Sequence, residues 1–109
     1  MKNLSVPRWM LLGADGAAWF LETSFIANDL VGQDRIDTIN HETIHHIQKR
    51  EVVNEDRFTW HGYFKWLAMY AVEHLKNGYQ GNKFEIDART NERDLANRPA
   101  RYWATCEKA

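Results

Sequence analysis

The chain is poor in cysteine, carries no surplus of charge of either sign, and lacks any long apolar run. Its one cysteine, Cys106, excludes an internal disulfide and leaves no second thiol for a zinc ribbon. That economy suits a reducing compartment. Fourteen basic residues against fifteen acidic ones leave a formal net charge of −1. Such a balance offers no electrostatic footprint for nucleic acid and no polybasic patch for a membrane. No apolar stretch reaches membrane-spanning length. Near the start only Trp9–Leu12 is apolar, and Gly13-Ala14-Asp15-Gly16 interrupts it, so no signal-peptide core is expected. Repeats, low-complexity tracts and Ser/Pro/Gly-rich linkers are missing too, so residues 1–109 read as one domain.

What the chain does have is apolar and aromatic material. Hydrophobic residues make up 44%, with five Trp, four Tyr and five Phe, enough for a packed core at this length. Trp9–Leu12 and Ala17–Leu21 flank Asp15-Gly16, a pairing that reads as a β-hairpin. A short third strand is expected over Ser24–Ala27. From Asp34 the period changes: Ile36, Ile39, Thr43, Ile44 and Ile47 recur at three- and four-residue intervals, predicting a helix to about Val53. Asp34 and Asp37 suit its first turn, where the macrodipole favours carboxylates. A second helix is predicted over Thr59–Lys76, with Trp60, Phe64, Leu67, Ala68, Ala71 and Leu75 on one side, and Asn77-Gly78 ending it. Phe64 and Trp66 are expected in the core. A third helix is predicted over Phe84–Asn97, stopped by Pro99. The aromatic tail, Arg101–Ala109, is expected to pack back on the domain.

On the first helix lies the five-residue string His41-Glu42-Thr43-Ile44-His45. Positions i and i+4 stand about 6 Å apart along a helix axis, so both imidazoles can address one cation. Glu42 falls to the side, where a carboxylate can take a proton from water as a general base. Two plainer readings compete: solvated helix histidines, or a metal that only braces the fold. His46 is turned about 100° from His45, and like Cys106 it is poorly placed as a further ligand. Zinc needs another donor, and His61, His74 and later acidic residues are the candidates. The metzincin continuation is excluded, because Glu51 stands where its last histidine would be and Gln48-Lys49-Arg50 contains no glycine.

NHETIHHIQ, the aromatic helix TWHGYFKWLAMYAVEHL and the segment GYQGNKFEIDAR together resemble minimal gluzincin-type metallopeptidases of bacterial and phage genomes. The matching positions are His41, Glu42, Ile44, His45 and Gln48, then Tyr79, Phe84, Glu85, Asp87 and Ala88, over about residues 39–89. The resemblance implies Zn2+ as cofactor, His41, His45 and Glu85 as metal ligands, and Glu42 as the catalytic base. It implies an α+β, zincin-like fold: a small N-terminal antiparallel sheet with three main helices. A plainer role for Glu85 is to pair with Asn82 in a helix cap. The chain departs from the family pattern in placing Arg89, not tyrosine, after Ala88. Gln48 could hold a ligand by a hydrogen bond, Asp87 could orient a histidine, and Tyr63, Tyr70, Tyr79, His61 and His74 include possible oxyanion donors. The expected function is zinc-dependent hydrolysis of amide bonds in a peptide or protein substrate, without nucleic acid or membrane. The alternative is a catalytically silent, zinc-stabilised structural or interaction protein, such as a virion component. Location in the cytoplasm or within a virion, and assembly into a homo-oligomer or larger particle, accompany these readings.

Overall fold

The computed structural model describes residues 2–18 and 23–106. Three strands, β1 (Lys2–Val6), β2 (Gly16–Ala18) and β3 (Thr23–Ala27), precede three helices, α1 (Gly32–Glu51), α2 (Trp60–Gly81) and α3 (Lys83–Asn91). The fold is α+β, a three-stranded sheet with three helices, in keeping with the expectation from sequence. Among the described residues no helix is long and apolar enough to cross a membrane.

The sheet differs from the expected antiparallel one. β3 is central; β1 runs parallel to it from Lys2↔Thr23 to Val6↔Ala27, and β2 runs antiparallel from Gly16↔Ile26 to Ala18↔Ser24. Trp9–Leu12, expected as a strand, falls in a short 3₁₀ turn over Arg8–Leu11 that Leu12 closes in the left-handed conformation. Arg8 holds this turn down, with Asp15 at 2.6 Å and Asp29 at 2.8 Å. Asp15-Gly16 consequently opens β2 instead of forming a hairpin turn, and the Asp15 carbonyl accepts from the Ala27 N–H. Trp19–Leu21 of the expected second strand, and Glu107–Ala109 of the tail, lie outside the described residues.

α1 lies with its polar side inward. Of the expected apolar stripe only Ile44 is fully buried, and Ile36 is exposed; the buried face carries Thr38, Glu42, His45, His46, Gln48 and Lys49. Thr59 caps α2 by accepting from the Gly62 N–H. Gly62 then sets how closely α1 and α2 approach: a Cβ there would lie 2.3 Å from the Lys49 carbonyl oxygen. α2 breaks where Asn77-Gly78 was expected to end it, with Gly78 at φ 70° and ψ 179°, although one more turn follows to Gly81. Trp66 faces the core as expected, whereas Phe64 faces solvent.

α3 is shorter than predicted. It ends at Asn91, six residues before the expected limit; the Asp94 N–H closes a turn on the Asn91 carbonyl, and the chain re-forms as a 3₁₀ turn over Leu95–Asn97. The tail docks where Val52, Trp66, Phe84 and Trp103 form the hydrophobic cluster. Trp103 sits 5.3 Å from the Phe84 ring, and its indole N–H donates to Glu51.

Candidate metal centre

α1 brings His41 and His45 onto one face, and α3 carries Glu85 across to them from 40 residues further along the chain. Asn82 caps α3 by accepting from the Phe84 N–H. Glu85 is therefore spared for another task. Its carboxylate Oε1 lies 2.9 Å from Nε2 of His41 and 3.3 Å from Nε2 of His45. The three potential donor atoms fall within 4.8 Å of one another, so the group could hold a metal ion.

The surrounding hydrogen bonds decide which imidazole atoms carry protons. Gln48 Oε1 receives the indole N–H of Trp66 at 3.0 Å, and indole can only donate. Gln48 Nε2 donates to the Phe84 carbonyl at 3.0 Å and to Asp87 at 2.9 Å, both pure acceptors. The amide orientation is thus fixed, and His45 Nδ1, 2.9 Å from the same Oε1, must be the donor. On His41 the Nδ1 faces Glu92 Oε1 at 3.3 Å, again an acceptor. Both Nε2 atoms are left to converge on a carboxylate oxygen. Acceptor facing acceptor in a buried site calls for a cation between them, whether a proton or a metal. The donor set, two imidazoles and a carboxylate, fits a divalent transition ion.

Without a metal, a proton on His41 fills that need. Burial opposes charge on His41, but the hydrogen bonds to Glu85 and Glu92, with the charges of Glu42 and Glu85, outweigh it and lift its pKa to about 9. Burial works against ionised Glu85 too, yet the hydrogen bonds from His41, His45 and Tyr70 hold its carboxyl well below the usual range. The Tyr70 hydroxyl donates to Glu85 Oε2. Burial and that bond push the tyrosine upward.

Glu42 lies beside the triad and is buried. Burial is the main reason its pKa is raised, while the two histidines and the Ala18 backbone N–H pull it back down. β2 crosses so close above it that a Cβ on Gly16 would meet Glu42 Oε2 at 3.2 Å and Thr38 Cγ2 at 2.9 Å. A cleft of about 330 Å³ opens over these groups, with Glu42, the triad, Leu67 and Tyr79 in its wall and Ala17 of β2 along its edge.

Comparison with protein-family models, curated proteins and solved structures finds no match.

The other sequence-derived candidates separate cleanly. Gln48 does hold His45 by a hydrogen bond. Asp87 orients Gln48, not a histidine, and is itself gripped by Arg98 at 2.6 Å. Tyr70 supports Glu85, and Tyr79 reaches the cleft wall with the Arg89 guanidinium 5.4 Å over its ring. Tyr63 lies beneath the ammonium of Lys49, at 5.0 Å. His61 and His74 are exposed and outside the cluster; His74 stacks on Tyr70. His46 points away, to Ser24 Oγ at 2.9 Å, and Cys106 bonds within the tail. Sequence reading missed Glu92 as a partner of His41. Its signal was faint but present: Glu85 and Glu92 are seven residues apart, two turns along one helical face.

Proposed function

We propose that the chain is a zinc-dependent peptidase of gluzincin type on a zincin-like fold, with His41, His45 and Glu85 holding the ion and Glu42 as general base. The observation that carries this reading is the convergence of two Nε2 acceptors and a carboxylate on one point at the floor of an open cleft, beside a second carboxylate that needs no ligand role. Zinc bound there would supply Lewis acidity toward a carbonyl oxygen and acidify water.

The chain's own groups account for the remaining steps. Glu42, its pKa raised by burial and its carboxylate steadied by the Ala18 N–H, takes a proton from the attacking water. As the C–N bond of the substrate amide breaks, Glu42 returns that proton to the leaving nitrogen. Tyr70 donates its hydroxyl to Glu85 Oε2 and steadies that carboxylate. Gln48 and Glu92 keep the imidazole lone pairs aimed inward. β2 is an outer strand of the sheet along the cleft, a suitable rail for an extended peptide.

Hydrolysis of a fluorogenic peptide library by the zinc-loaded protein, set against Glu42→Gln, tests the proposal. The variant should keep stoichiometric zinc and lose turnover by at least about a hundredfold. Equal turnover by wild type and variant would remove Glu42 from the mechanism. The burial of His45 and Glu85, 4% and 5% exposed, also suits a metal that only braces the fold. A chelator separates the two: unfolding marks the structural role, a folded and inactive protein the catalytic one.

A further inference from the structure

α2 is apolar on two opposite sides. Gly62, Trp66, Met69 and Tyr70 face the core, while Trp60, Phe64, Leu67, Ala68, Ala71 and Leu75 form a stripe about 100° wide on the outer side. Trp60 remains 51% exposed, Phe64 60%, Leu67 42% and Leu75 86%, with Trp60 stacked on Phe64 at 6.0 Å. An apolar stripe of that width on a surface helix ordinarily faces a packed neighbour.

We propose that this stripe is the interface of a two-fold homodimer in which α2 packs antiparallel against α2 of a second copy. The order of side-chain sizes selects the occupant and the direction. About an axis between Leu67 and Ala68, Phe64 of one copy meets Ala71 of the other, Trp60 meets Leu75, and Leu67 meets Ala68. Each large residue faces a smaller or flexible one, as knobs-into-holes packing requires. Parallel pairing would instead set Trp60 on Trp60 and Phe64 on Phe64, leaving the two alanines to face each other across a gap. A C2 interface must be self-complementary, and this stripe is. Its exposed apolar surface amounts to roughly 500 Å² per copy, so pairing buries about 1,000 Å², the lower bound for a specific dimer. Leu67 belongs to both the stripe and the cleft wall, so the second copy would border the cleft above the metal-binding cluster.

The test is the mass of the full chain in solution by sedimentation equilibrium, with and without zinc. The expected result is twice the 12.9 kDa chain mass, reverting to a single chain in Phe64→Glu with an unchanged circular dichroism spectrum. In a Cys106→Ser background, Phe64→Cys combined with Ala71→Cys should oxidise to a 64–71 intermolecular disulfide. Within one helix those positions are about 10 Å apart along the axis, too far to bridge. Phe64→Cys alone should cross-link poorly. A wild-type chain monomeric at about 100 µM overturns the proposal. So does efficient 64–64 cross-linking, which indicates parallel pairing, or a monomer whose stripe is covered only on adding anionic lipid vesicles.

Discussion

Gln48 Oε1 stands 2.9 Å from His45 Nδ1, one turn further along the same helix, and the Gln48 amide cannot flip. Trp66 fixes its oxygen end and Asp87 its nitrogen end. A neutral glutamine thereby acts as the tautomer lock of His45, a part that a carboxylate or backbone carbonyl often takes beside a metal-bound histidine. Gln48→Ala should weaken zinc binding by roughly 10–100-fold. It should also lower stability by about 1–3 kcal/mol, since it takes the Gln48 acceptor from the buried Trp66 N–H and from His45 Nδ1. Competition against a chromophoric chelator reads the first effect and urea unfolding the second; unchanged affinity would show that the lock is idle.

Proton and metal compete for Nε2 of His41. In the metal-free protein His41 is protonated up to about pH 9, so zinc binding at pH 7 must expel that proton. Apparent affinity should rise about tenfold per pH unit below 9 and level off above it. The stability of the metal-free form has the opposite slope. A histidine whose folded pKa exceeds its unfolded value of about 6.5 stabilises fully below pH 6.5 and loses that contribution as pH climbs toward 9. Calorimetric titrations in buffers of different ionisation enthalpy count the released proton. Melting curves from pH 6 to 9.5, with and without zinc, give the second slope. Zinc uptake without proton release would contradict this protonation scheme.

Arg98 braces the site from outside. It bonds Asp87 at 2.6 Å and Glu51 at 2.7 Å, so Arg98→Ala leaves two sequestered carboxylates without their cation. The cost should be about 3–5 kcal/mol. Arg98→Lys should recover only part of it, because one ammonium cannot span both carboxylates as the planar fork does. Thermal denaturation of the pair of variants measures the difference.

The contact of α1 with α2 has no spare room at Gly62. Gly62→Ala drives a methyl into the Lys49 carbonyl, which belongs to helix backbone and cannot swing aside. Overpacking of this kind costs about 1–3 kcal/mol. For a domain of this size each kcal/mol lowers the melting temperature by roughly 4–8 °C. Scanning calorimetry supplies the check.

The histidine motif and the glutamate within it were legible because their geometry is local: residues 41, 42 and 45 are placed by one helical turn, whatever else the chain does. Glu85 was reached through the resemblance of its segment, not through any period. The errors have a common origin. Trp9–Leu12 looks like a strand and the Phe64 side of α2 looks like a core face, since both are apolar. Arg8 pins the first into a turn, and the second faces outward because Gly62 and Trp66 turn the opposite side inward.

By itself the sequence determined a domain of balanced charge with no disulfide and a helix that displays two imidazoles and a carboxylate, because composition and helical periodicity need no partners. Only the tertiary structure decided that Glu85 closes the triad, that Gln48, Glu92 and Arg98 hold it, and that α2 leaves an apolar stripe outside. Those features depend on which distant groups meet across packed elements, and hydrogen-bond direction is settled there by the neighbours each atom finds.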